Sequence, residues 1–98
     1  MNITDEVLNE FKERMHLTGS YEDNNLRRIL SASVIDLQAK CGGYELTDET
    51  FKELVFERSR YVYNDALEYF DTNFISQING LAVRKALEEM EGDTDEGI

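Results

Sequence analysis

The sequence predicts an all-α protein: a small bundle of three main helices, with one long central helix and a C-terminal arm. Three observations carry this prediction. The 98 residues hold no proline, 32% are charged and 41% are hydrophobic, a balance that supports a small helical core rather than disorder throughout. Apolar residues recur at helical spacing over most of the chain. Two segments also begin with the residue pattern that starts helices. A chain of this length is expected to form one domain, here residues 1–87 with the arm from about residue 74.

The first helix is predicted from Thr4. Thr4 caps free amides, Asp5 and Glu6 suit the positive end of the helix dipole, and Ile3 staples onto Leu8. Val7, Leu8, Phe11 and Met15 then share a face, and the helix is expected to end near Leu17, before Thr18-Gly19-Ser20. The second helix follows, with Ser20 or Asp23 as its cap. Leu26, Ile29, Leu30, Ser33, Val34, Leu37 and Cys41 recur at helical spacing, and Gly42-Gly43 supplies the stop.

The third helix repeats the chemistry of the first. Leu46-Thr47-Asp48-Glu49-Thr50-Phe51 echoes Ile3-Thr4-Asp5-Glu6-Val7-Leu8. No proline or glycine interrupts it from Asp48 to about Asn73, so a helix about 39 Å long is expected. Stepping about 100° per residue, Phe51, Leu54, Val55, Arg58, Tyr61, Val62, Ala66 and Tyr69 fall on one side. Phe56, Tyr63, Leu67, Phe70 and Phe74 fall on another, and the polar arc is narrow. Such a helix needs cover on two sides, from the C-terminal segment or from another copy of the chain. Arg58 lies on the apolar side, either reaching to water or pairing with Asp65 or Asp36.

The segment Phe74–Leu87 reads as a helical or extended arm, although Asn79-Gly80 also fits a hairpin turn. Ile75, Ile78, Leu81 and Val83 keep it apolar and, with Arg84 and Lys85, make it a candidate contact surface, with Gly80 as a hinge. Residues 88–98 hold six acids and no base and read as a solvated, disordered tail.

Composition narrows the function. Ten lysines and arginines face 21 acids, a formal charge of −11, the opposite of a nucleic-acid-binding footprint. One cysteine gives no internal disulfide, and one cysteine with one histidine gives no Cys/His zinc site. The opening MNITDEVLNEF begins with acids and is not expected to act as a signal peptide, and no apolar run approaches the roughly 18 to 20 residues that cross a bilayer. His16 has no catalytic partner at a motif spacing, and Cys41 reads as a small buried hydrophobe. Gly42-Gly43 lacks the lysine of a phosphate loop, and the tail's DTDEG stops short of a calcium loop. No catalytic, cofactor or metal site is expected.

One stretch carries more. Glu57-Arg58-Ser59-Arg60-Tyr61-Val62-Tyr63-Asn64-Asp65-Ala66-Leu67-Glu68-Tyr69-Phe70, taken with Asp23-Asn24-Asn25-Leu26-Arg27-Arg28-Ile29-Leu30-Ser31-Ala32-Ser33, resembles the small head–tail connector proteins of long-tailed bacteriophages. The likeness spans roughly residues 3–83 and rests on the pattern of helices, not on one motif. It implies an all-helical, non-enzymatic virion protein, assembled in the host cytoplasm and located in the neck. Identical subunits would form a ring beneath the portal protein, extend the DNA channel, and dock the next neck or tail-completion protein. DNA would pass without specific binding, since a negative wall repels it. The resemblance makes Phe56, Tyr63, Leu67, Phe70, Phe74, Ile75, Ile78, Leu81, Arg84 and Lys85 candidates for subunit or portal contact. The alternative is a small acidic helical regulator, such as a DNA mimic that fills a basic groove.

Overall fold

A computed structural model describes the backbone of residues 3–97 and the side chains of residues 3–91. Within it the chain is all-helical, and no strand occurs among the described residues. In order come α1 (Asp5–Met15), α2 (Asp23–Cys41), α3 (Glu49–Tyr63), a single 3-10 turn (Leu67–Tyr69), the short α4 (Phe70–Asn73) and α5 (Ile75–Gly97).

Capping sets the starts of α1 and α3. The Val7 amide donates to Thr4 Oγ1 at 3.2 Å, and the Phe51 amide donates to Asp48 Oδ1 at 2.9 Å. The staple residues Ile3 and Leu8 are both buried. α2 departs from expectation. Its N-cap is Glu22, which makes no side-chain capping bond, rather than Ser20 or Asp23. Asp23 instead pairs with Lys12 at 2.8 Å, so its carboxylate ties α2 to α1.

α2 is the central element, packed against α1, α3 and α5. Its inward side supplies Leu26, Leu30, Val34, Leu37 and Cys41 to a core shared with Phe11, Phe51, Val55 and Phe70. Burial of these side chains is the main stabilising force of the fold.

The largest correction concerns the third helix. α3 ends at Tyr63, ten residues before the expected Asn73. Asp65 adopts the left-handed conformation, with φ of 58°. The Ala66 amide then donates to the Tyr61 carbonyl at 2.8 Å, and the Asp65 amide to the Val62 carbonyl at 3.1 Å. These two bonds are a Schellman closure, made with aspartate where glycine is usual. α1 ends the same way, through His16 with φ of 58° and the Leu17 amide on the Lys12 carbonyl.

After the Asp65 turn the chain folds back on itself. Phe70 and Phe74 stack at 5.0 Å, and both meet Tyr61 edge-on at 5.7 Å. α5 then runs along α2. It passes through Asn79-Gly80 without a break, so the hairpin is not formed. The arm is also not free: Ile78 and Leu81 are buried in the core. Residues 88–91, which the sequence assigns to a disordered tail, continue α5 with exposed side chains. The rest of that tail lies outside the residues whose side chains are described.

Candidate functional site

The structure separates the ten contact candidates into three groups. Phe56, Phe70, Ile78 and Leu81 are buried in the chain's own core at 5% exposure or less. Phe56 is covered by α1, whose Phe11 ring lies 5.5 Å away and whose Arg14 guanidinium sits over the ring at 5.9 Å. On the second apolar side of α3, Phe56 is therefore covered by α1, while the α4–α5 return packs Phe70 and Phe74 against Tyr61 on the other side. In this conformation these four side chains give a partner no surface.

Tyr63, Phe74, Arg84 and Lys85 are engaged within the chain. The Tyr63 hydroxyl donates to Glu22 at 2.8 Å, which pushes the phenol pKa up. Arg84 Nε donates to the Tyr44 hydroxyl at 3.0 Å, and its guanidinium also pairs with Asp48. Lys85 Nζ lies 4.3 Å from the centre of the Tyr44 ring, a cation–π contact. Both bases thus hold α5 to the loop before α3.

That loop is shaped for the purpose. Gly42 closes α2 with φ of 109° and ψ of −179°, a region open essentially to glycine alone. A Cβ there would come within 2.8 Å of Lys85 Cγ. Tyr44 follows, buried, with its ring stacked on Phe51 at 5.6 Å.

Leu67 and Ile75 remain exposed, at 40% and 49%. Two further surfaces accompany them, the first including Val83, which the sequence reading places among the apolar residues of the arm. On α5, Val83 and Leu87 are exposed at 57% and 53%. At about 100° per residue they lie about 170° around the helix from the buried pair Ile78 and Leu81. α5 is therefore apolar on two opposite sides. A wheel drawn over residues 75–91 would have revealed this once the helical reading was preferred to the hairpin. The other surface is a groove of about 280 Å³ between α2 and α3, lined by Arg28, Ile29, Ala32, Val62 and Leu67 among others.

Arg58 pairs with Asp36, the alternative to Asp65, with Nε to Oδ2 at 3.1 Å. Asp65 is unsuited to that role because it forms the exposed turn that ends α3. Arg58 also donates to Ser33 Oγ at 3.1 Å, and the same oxygen accepts from Ser59 Oγ at 2.9 Å. This gives the α2–α3 crossing a satisfied polar centre inside an apolar core.

Cys41 is free and buried, and burial pushes its thiol pKa up, away from nucleophilic use. Among the described residues no group of three or more His, Cys, Asp or Glu side chains is placed to hold a metal ion. Nor is any helix among them long and apolar enough to cross a membrane. Comparison with protein-family models, with curated proteins and with solved structures returned no match.

Proposed function

We propose that this chain is a head–tail connector subunit of the kind found in long-tailed bacteriophages. Identical copies join as a ring beneath the portal protein, extend the channel through which DNA leaves the head, and dock the next neck or tail-completion protein. The reading begins from the sequence resemblance, and its structural support is the second apolar side of α5. A helix that serves only its own small core needs one apolar stripe. α5 has Ile78 and Leu81 turned inward, and Val83 and Leu87 exposed on the opposite side. Two exposed apolar side chains one turn apart give a neighbouring helix a ridge to pack on.

Charge fits the same role. The formal charge of −11 favours repulsion of a passing duplex over phosphate binding, so DNA slides without being held. The subunit contributes shape and a contact surface, with no chemistry of its own. Electron microscopy of the purified chain mixed with its cognate portal protein tests the proposal. The expected image is a closed ring of identical copies stacked on the portal. Portal particles with no added density, and a chain that stays monomeric beside them, would remove the reading.

A further inference from the structure

The charge pairing of this protein has one exception. Nine of its ten lysines and arginines are held by carboxylates: for example, Arg14 pairs with Glu53 at 2.7 Å, Lys52 with Glu10 at 2.8 Å and Lys40 with Asp71 at 2.8 Å. Among the described residues Arg28 alone of these bases has no ion pair or hydrogen bond. In a chain with 21 acids an exposed arginine without a carboxylate stands out. Arg28 sits on the wall of the apolar groove whose floor is Ile29, Ala32, Val62 and Leu67.

The matching surface lies on α5. Val83, Leu87 and Glu91 are spaced four residues apart, so they form one ridge along the helix. Two apolar side chains are followed by one acid, and all three are exposed. No residue of α5 lines the groove, so a chain does not fill its own groove with its own ridge.

We propose that the α5 ridge of one copy docks in the α2–α3 groove of the next, with Val83 and Leu87 on the apolar floor and Glu91 against Arg28. The contact rests on the ring reading above and says which surfaces make the ring. Ridge and groove are different patches, so the contact is head-to-tail, and its repetition closes a ring or extends a filament. An arginine–carboxylate pair beside buried apolar side chains fixes register more than it adds affinity.

Mixing two single-cysteine variants tests the contact. Full-length Ala32→Cys and Leu87→Cys chains are combined, oxidised and resolved by mass, with the parent chain, whose Cys41 is buried, as background. The expected product is a mixed dimer carrying both engineered cysteines. Adding Arg28→Glu to the Ala32→Cys chain should cut its yield at least tenfold. Adding Glu91→Arg to the Leu87→Cys partner as well should restore it. Absence of the mixed dimer, or a yield indifferent to Arg28→Glu, overturns the contact. Native mass spectrometry of the parent chain keeps the two claims apart. A higher oligomer without the cross-link removes this contact alone, and a monomer at every concentration removes the ring with it.

Discussion

The Tyr44 hydroxyl donates a buried 2.7 Å hydrogen bond to the Leu81 carbonyl, joining residues 37 positions apart. Arg84 donates to the same hydroxyl from the next turn of α5 at 3.0 Å, and Lys85 caps the ring. These contacts make the first half of α5 part of the folded body. Its second apolar side is then held in a fixed place, facing outward. A rigid helix presents that surface to a partner without the ordering cost that a mobile arm would carry.

Gly42 should tolerate no side chain. Its φ of 109° with ψ of −179° and the 2.8 Å approach of Lys85 predict that Gly42→Ala costs about 1–3 kcal/mol. Urea denaturation measures it. The companion change Gly80→Ala, in mid-α5 with open space around the new Cβ, should stabilise by about 0.5–1 kcal/mol.

The turn at Asp65 gives a test of sign. Asp65 holds a left-handed conformation with φ of 58°, which an L-residue adopts at some cost and glycine adopts freely. Asp65→Gly is expected to stabilise the protein by up to about 1 kcal/mol. In an unbroken helix the same change would destabilise by a few tenths of a kcal/mol. The shift in melting temperature therefore separates the two backbones directly.

This turn also shows what the sequence could and could not convey. The start of α1 was legible because Thr4 caps by local chemistry, which needs no tertiary information. That of α3 was legible to within one residue, since the echo of the first helix put Thr47 in the cap place that Asp48 takes. The end of α2 was legible through Gly42. The end of α3 was not, because Asn64-Asp65 is a weak signal beside glycine or proline. Its left-handed residue is held by the packing of Phe70 and Phe74 on Tyr61. That one misplaced end shifted the apparent contact surface. Phe70 looked available only while α3 was drawn straight to Asn73, and Phe56 only because its packing against Phe11 of α1 is a tertiary contact. Val83 was read in one apolar set with Ile78 and Leu81, because the helical and hairpin readings of Asn79-Gly80 left the inward and outward sides of the segment undivided. Arg28 could not be singled out, since pairing is decided by which side chains meet in space.

The polar centre between α2 and α3 predicts an asymmetry. Ser33 Oγ accepts from both Ser59 and Arg58, so Ser33→Ala strands two donors. It should cost about 1–3 kcal/mol, and Ser59→Ala, which leaves the Arg58 bond in place, about 1 kcal/mol. Chemical denaturation of both variants checks the order; a larger cost for Ser59→Ala would contradict the geometry.

Acid should loosen the fold by a specific route. The Phe51 amide, and then Arg84, hold the Asp48 carboxyl below its usual pKa, and Arg14 does the same for Glu53. A carboxylate whose folded pKa is depressed stabilises the protein above its unfolded pKa. That contribution is lost as the pH falls through the folded value. Melting temperature should therefore be level down to about pH 4.5 and fall below about pH 4, where free carboxyls titrate. Asp48→Asn keeps an N-cap acceptor but not the charge, so its melting curve should fall less steeply with acid.

The central claim is that the outward side of α5 joins copies of this chain, and native mass spectrometry across a concentration series tests it most directly. The parent chain should assemble into a closed oligomer of identical subunits. The double variant Val83→Glu/Leu87→Glu, altered only at exposed positions, should remain monomeric with an unchanged circular dichroism spectrum. A parent chain that is monomeric throughout, or a double variant that assembles equally well, would contradict the account.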